Sequence, residues 1–142
     1  MRRTALFATS IALVTVTSVG LALSSVATWK GTVAGNDGSK ITGTATMAPA
    51  GEGTEVDVMI MGDEAGVTRP WHIHVGSCAK GGGVFGGGRS YTPIVMDGSG
   101  HGMSKATLTV AAPDTGSYYV NIHESAGNMG KIVACGDLAK EM

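Results

Sequence analysis

The sequence predicts an all-β protein, built as an antiparallel sandwich or barrel of eight short strands. In several short segments apolar and polar residues alternate with period two, which is the pattern of a strand with one buried face. Turn residues separate these segments, and 23 of the 142 residues are glycine. Beyond the N-terminal segment no stretch has the periodicity of an amphipathic helix. Together these observations favour one all-β domain.

Eight segments have strand character, and side-chain parity assigns a buried face to each. Alternation is clearest where Val56, Val58 and Ile60 point inward between outward acidic residues. The same alternation places Leu108 and Val110 on the inward face of the predicted strand 104–110. The predicted strands span 28–33, 41–48, 55–60, 71–75, 91–96, 104–110, 118–123 and 131–138. The sequence contains no internal repeat that would indicate a second domain.

The charge of the chain argues against nucleic acid as a partner. Ten Lys and Arg residues nearly balance eleven Asp and Glu residues, the formal net charge is −1, and no long segment is basic. Binding to a phosphate backbone needs clustered positive charge. No Ser-His-Asp arrangement or pair of carboxylates indicates hydrolytic chemistry.

The first 27 residues have the features of a signal peptide. Arg2 and Arg3 form a positive n-region, residues 5–23 are apolar, and residues 25–27 (SVA) place small side chains at a cleavage site. We predict cleavage after this tripeptide, which leaves one domain, residues 28–142. That domain would be exported to the periplasm or the extracellular space without stable membrane association. The alternative is an uncleaved anchor, because an apolar run of this length can span a bilayer.

Two of the predicted strands carry histidines on the face opposite their apolar residues. In residues 71–75 (WHIHV) the apolar side chains form the core face, so His72 and His74 project outward. In residues 118–123 (YYVNIH) the same parity places His123 outward, at the end of the strand. If the two strands lie close together, three imidazoles gather on the outside of the sheet. Three neutral imidazoles suit Cu(II), Zn(II) or Ni(II), and copper has the highest intrinsic affinity.

A cysteine follows each histidine strand, Cys78 after the first and Cys135 after the second. Two cysteines in an exported domain usually pair, and we predict a disulfide between them. The alternative is two free thiols that serve as soft metal ligands.

Several other residues are weaker candidates for the same site. Met129 offers a thioether, which is a soft ligand for Cu(I), although methionine often only fills gaps. Glu124 is either a hydrogen-bond partner that orients a histidine or a solvated acid. His101 is predicted to be a solvated turn residue. The glycine-rich segment around Gly81–Gly88 is predicted to be a mobile surface loop.

The histidines and cysteines resemble the copper/zinc superoxide dismutase family and the CHRD-type domains of secreted proteins. The family's His-x-His strand is similar to residues 72–74, and its His-Glu strand to residues 120–124 (VNIHE). Its closing motifs are similar to residues 127–130 (GNMG) and 134–136 (ACG), and its disulfide to the pair of cysteines. The sequence of residues 119–123 (YVNIH) most resembles CHRD-type sequences.

The resemblance implies an eight-stranded antiparallel Greek-key β-barrel with one copper ion on its outer wall, bound by His72, His74 and His123. It implies no zinc site, because residues 78–91 lack the family's bridging and zinc-binding histidines and its aspartate. Ile132 stands where the family has the arginine that guides superoxide, so Lys131 is the remaining candidate for an electrostatic guide.

Three functions follow from the resemblance. The first is an exported protein that binds or handles copper. The second is a divergent copper-only superoxide dismutase of reduced activity, with superoxide as its substrate. The third is a CHRD-type extracellular binding module without a metal.

Overall fold

The computed structural model describes residues 27–141, so the predicted signal peptide, residues 1–27, lies outside the described residues except for Ala27. The described residues form an all-β fold, as predicted. Its strands are β1 (Trp29–Gly35), β2 (Thr42–Ala50), β3 (Gly53–Met61), β4 (Thr68–Arg69), β5 (Trp71–Val75), β6 (Ile94–Val95), β7 (His101–Leu108), β8 (Tyr118–Ser125) and β9 (Asn128–Lys140), and a single 3₁₀ turn spans Gly88–Ser90. Within residues 27–141 no helix has the length and apolar character that a bilayer crossing requires.

Seven strands form one curled antiparallel sheet in the order β5-β8-β9-β1-β2-β3-β7, and β4 pairs with β6 in a small second sheet. Hairpins connect β1 to β2, β2 to β3 and β8 to β9. Three longer connections cross the curled sheet, from β3 to β5, from β5 to β7 and from β7 to β8, and such crossings are typical of Greek-key topologies. This topology places the two histidine strands, β5 and β8, side by side.

The inner face of the curled sheet holds the hydrophobic core. The predicted inward residues Val56, Val58 and Ile60 are at most 2% exposed. Burying one such side chain contributes about 1.5–3 kcal/mol, so this face supplies most of the stability. The indole N–H groups of Trp29 and Trp71 are also satisfied, because they donate to the Pro113 and Thr92 carbonyls. The other largest fully buried side chains are Val33, Ile41, Met47, Ile73, Ile94, Leu108, Val120 and Ile122.

Four details of the strand prediction are wrong. Val75 was predicted to face the core and is 48% exposed. The predicted strand 91–96 shrinks to Ile94–Val95, because Pro93 cannot donate a ladder hydrogen bond. Val110 lies beyond the end of β7 and is 38% exposed. His101 is the first residue of β7 and not a turn residue, since the preceding turn is closed by Asp97, whose Oδ1 accepts the N–H of His101.

Candidate metal centre

Three histidines converge where β5 and β8 pair. The strands are antiparallel neighbours with His72 opposite Asn121 and His74 opposite Tyr119, and His123 follows on the same face of β8. One ring nitrogen from each histidine lies within 4.8 Å of the other two. Nδ1 of His72 is 3.1 Å from Nε2 of His123. The structure therefore brings together the three predicted histidines, and this group can hold a metal ion.

Backbone carbonyls fix the tautomers of two of these rings. Nδ1 of His74 lies 2.9 Å from the Gly82 carbonyl oxygen, and Nδ1 of His123 lies 2.7 Å from the Met129 carbonyl oxygen. A carbonyl oxygen only accepts, so each Nδ1 carries the proton. In the neutral ring Nε2 is then left with a lone pair. Metal-bound histidines are commonly oriented by this kind of contact.

The three converging nitrogens of the group fit a metal ion. Nε2 of His74 is buried and has no hydrogen-bond partner. Leaving such an atom unsatisfied costs about 1–3 kcal/mol, and a bound cation would remove that cost. Nε2 of His72 faces the backbone of Gly88, which leaves Nδ1 of His72 directed at His123. Imidazole nitrogens bind Zn²⁺ at about 2.0–2.1 Å, so two nitrogens 3.1 Å apart are suitably placed around one ion.

Burial keeps two of these rings neutral. Burial, with smaller contributions from the neighbouring His123 and His74, lowers the pKa of His72 to about 4. Burial also lowers the pKa of His123, against a raising effect of the Met129 carbonyl. Since a histidine must be deprotonated to bind a metal, both rings are in their binding form at neutral pH.

The glycine-rich segment, residues 76–90, covers the outer face of β5. The Val75 N–H donates to the Gly83 carbonyl and the Phe85 N–H donates to the Ile73 carbonyl, so residues 83–85 pair with the free edge of β5. A Cβ on Gly82 would overlap the Val75 carbonyl oxygen, and this close approach requires glycine. The histidines point outward as predicted, yet His74 is only 8% exposed, because this segment lies over it. His123 is only 5% exposed, because the other two histidines and the Met129 carbonyl lie against its ring.

Two tyrosines flank the histidines. The ring of Tyr119 stacks on His74 with centroids 5.1 Å apart. Tyr91 meets His72 edge to face, also at 5.1 Å, and its hydroxyl donates to the Phe85 carbonyl. Burial raises the pKa of Tyr91. These rings restrict the rotation of the imidazoles and limit access of water.

The predicted disulfide is present between Cys78 and Cys135, whose Cα atoms are 6.0 Å apart. Cys135 lies in β9 opposite Asn121 of β8. The Cys78 N–H donates to the Asp137 carboxylate, also in β9, at 2.7 Å. Both contacts fix the start of the glycine-rich segment to the sheet beside the histidines.

The sequence prediction missed an arginine that positions His123. Nε and Nη2 of Arg69 donate to the two carboxylate oxygens of Asp63 at 2.7 and 2.8 Å, and Nη1 donates to the Glu124 carbonyl at 2.6 Å. The Arg69 hydrogen bond lowers the pKa of Asp63. The N–H of His123 itself donates to the Pro70 carbonyl. Residues 69 and 70 therefore hold the backbone on both sides of the His123 side chain.

The remaining predicted residues have other contacts. Met129 approaches His123 through its backbone carbonyl, and its side chain is 36% exposed. Glu124 does not orient a histidine, because its carboxylate accepts from Lys131 and Asn128. Lys131, the predicted electrostatic guide, is therefore paired with Glu124. His101 lies in β7, which is separated from β8 by four strands of the sheet and from β5 by five.

No protein-family model matches the chain, and no curated protein matches it. The class of protein is thus defined by fold and site. It is an all-β chain with one disulfide and a group of three histidines that can hold a metal ion.

We expect Gly82→Ala to destabilise both the fold and the metal site. The added methyl must push the segment away from Val75, and such overpacking costs about 1–3 kcal/mol. His74 would lose its carbonyl partner, so metal affinity should fall about 10-fold. Thermal unfolding and a metal titration measure the two effects. Gly83→Ala is the matched control, because nothing lies within 4 Å of a Cβ there. Equal behaviour of the two variants would contradict the structural role of this contact.

Proposed function

We propose that the chain is an exported, superoxide dismutase-like protein that binds one copper ion through His72, His74 and His123, and that its role is to bind or handle copper. The observation that carries this proposal is the set of three ring nitrogens that lie within 4.8 Å of one another. The most informative of them is the buried Nε2 of His74, which has no partner in the protein.

The donor set favours copper among the common metals. All three ligand atoms are imidazole nitrogens, and among divalent first-row ions Cu²⁺ binds a given nitrogen site most tightly. No thiol competes for the ion, because both cysteines are in the disulfide. Copper, when bound, supplies a one-electron redox couple and a Lewis acid. The protein residues hold the imidazoles in place, and the flanking tyrosines exclude water.

Export is supported by the disulfide together with the signal-like N-terminus of the sequence. Disulfides persist in oxidising compartments and are rare in the cytosol. In such a compartment Cys78 and Cys135 remain paired and the segment over the histidines remains anchored.

A copper-only superoxide dismutase is the second candidate. The partial exposure of His72 favours it, since a small anion could approach the ion from that side. Two contacts disfavour it. Lys131 is paired with Glu124, and the guanidinium of Arg69 is bound by Asp63, so neither cation is free to attract an anion. Copper binding without efficient dismutation is therefore the preferred proposal, and a metal-free CHRD-type module is the function that remains if copper does not bind.

We expect His72→Ala and His123→Ala each to weaken copper binding at least about 100-fold, because loss of even an outer partner of a ligand costs about 10–100-fold. A competition titration with a chelator of known affinity measures this. Lys105→Ala, at an exposed position of β7, is the control and should bind copper as the unaltered protein does. Equal affinity in all four proteins would refute the proposed site. A dismutase assay on the loaded protein then separates the two copper functions.

A further inference from the structure

The outer face of β3 and β7 carries a cluster of exposed sulfur side chains. Met59 of β3 lies opposite Met103 of β7, and Met61 lies opposite His101. Residues two apart on a strand share a face, so the four side chains form two adjacent cross-strand pairs on one surface. We call this group the methionine cluster: Met59, Met61, His101 and Met103.

All four side chains face solvent. Met59 is 41% exposed, Met61 39% and Met103 73%, and His101 is exposed as well. The residues between them point the other way. Ile60 is fully buried, and a Cβ on Gly102 would contact Ile94 and Met96 of the core. The four residues line one surface cavity, together with Asp97 and Val95 among others.

The cluster breaks a pattern that the same two strands otherwise obey. Further along this face Asp57 lies opposite Lys105 and Glu55 opposite Thr107, and Lys105 pairs with both acids. The outward positions of this part of β3 and β7 are thus polar or charged, whereas the outward positions of the adjoining part are occupied by methionines and a histidine. Single exposed apolar residues are ordinary, but three neighbouring methionines around a histidine are not explained by chance exposure.

We propose that the methionine cluster is a second metal site, for a soft monovalent ion of the Cu(I) class. Thioether is the side-chain donor that selects Cu(I) over hard cations, and imidazole is compatible with it. Cross-strand Cβ atoms are about 4.5–5.5 Å apart, and methionine has three flexible side-chain bonds, so the sulfurs and the imidazole reach a common ion above the sheet. The Asp97 carboxylate at the cavity wall provides negative charge for the cation.

This site is independent of the three-histidine group. It lies on β3 and β7 at one end of the strand order, whereas the histidines lie on β5 and β8 at the other. Its donors are mainly sulfur, whereas those of the histidine group are all nitrogen. The chain would therefore offer separate sites to the soft, reduced ion and to the harder, oxidised ion of the same metal.

The test uses Ag(I), a redox-stable probe with the same ligand preference, and protein labelled with ¹³C in its methionine methyl groups. In chloride-free buffer one equivalent of Ag(I) should shift the methyl signals of Met59, Met61 and Met103. The signals of the buried Met47 and Met96 and of the exposed Met129 should stay in place as internal controls. No shift at one equivalent, or an equal shift of Met129, overturns the proposal.

Two variants test whether Ag(I) binds the methionine cluster and not the three-histidine group. Met103→Leu keeps the size and exposure of the side chain but removes its sulfur, so the Ag(I)-dependent shifts of Met59 and Met61 should disappear. They should persist in His72→Ala. Retained shifts in Met103→Leu, or lost shifts in His72→Ala, contradict the assignment. Met103→Leu should leave the fold intact, because the side chain is 73% exposed.

Discussion

Reduction of the disulfide between Cys78 and Cys135 is expected to destabilise the protein by about 4 kcal/mol. The two cysteines are 57 residues apart, and on the chain-entropy model opening a loop of this length stabilises the unfolded state by about that amount. In a domain of this size the melting temperature should fall by roughly 10–20 °C. The glycine-rich segment would also lose its anchor to β9, so copper binding should weaken. Thermal unfolding with and without a reductant measures the effect.

A variant with both cysteines replaced by alanine is the control for this experiment. Its melting temperature should match that of the reduced protein and should not respond to reductant. If reductant leaves the melting temperature of the unaltered protein unchanged, the disulfide does not have the stabilising role assigned to it.

Arg69→Ala is expected to cost about 3 kcal/mol of stability, since removing one partner of a buried ion pair leaves the other charge unpaired. The side chains of Arg69 and Asp63 are only 13% and 8% exposed, and the contact between them is bidentate. The variant also frees the Glu124 carbonyl, which directly follows His123. Copper affinity should therefore fall together with the free energy of unfolding, and chemical denaturation and a metal titration measure the two.

Two further variants test this explanation. Combining Arg69→Met with Asp63→Leu removes both charges and should recover much of the stability that Arg69→Ala loses. Lys105→Ala breaks an exposed ion pair with Glu55 and should change stability little. If Arg69→Ala is as mild as Lys105→Ala, the ion pair does not hold the backbone beside His123.

The faces of the histidines were predictable from the sequence, because the two-residue period of a strand is fixed by covalent geometry. His72 and His74 project from one face of their strand and Trp71 and Ile73 from the other, wherever that strand is placed in the sheet. Parity alone does not bring His123 to them, since the pairing of β5 with β8 joins residues about fifty positions apart. The resemblance to the dismutase family supplied that expectation, and the structure places the three histidines together.

The pairing of residues 83–85 with β5, which covers part of the site, could not be predicted from the two-residue period of a strand. Residues 83–85 pair with β5 through backbone atoms, and a run of glycines has no side-chain pattern that would indicate a strand. The glycines themselves were the available signal, because a glycine run permits close approach of one backbone to another. Val75 shows the limit of parity at a strand end, since it was predicted to be buried and is 48% exposed.

Arg69 was missed because its partners are set by tertiary structure. Asp63 is six residues away along a loop, and the Glu124 carbonyl is 55 residues away. Nothing in the local sequence distinguishes this arginine from a solvated one. The sequence left two alternatives open for Glu124 for the same reason. The hairpin between β8 and β9 decides against orientation of a histidine, because it brings Lys131 and Asn128 to the carboxylate.

Electron paramagnetic resonance of the protein loaded with one equivalent of Cu(II) tests the central claim most directly. We predict a single copper species whose signal shows coupling to imidazole nitrogens. That coupling should be altered or lost in His72→Ala and in His123→Ala and unchanged in Lys105→Ala. A spectrum of free or weakly bound copper, or one that is the same in all three variants, would contradict a copper site at His72, His74 and His123.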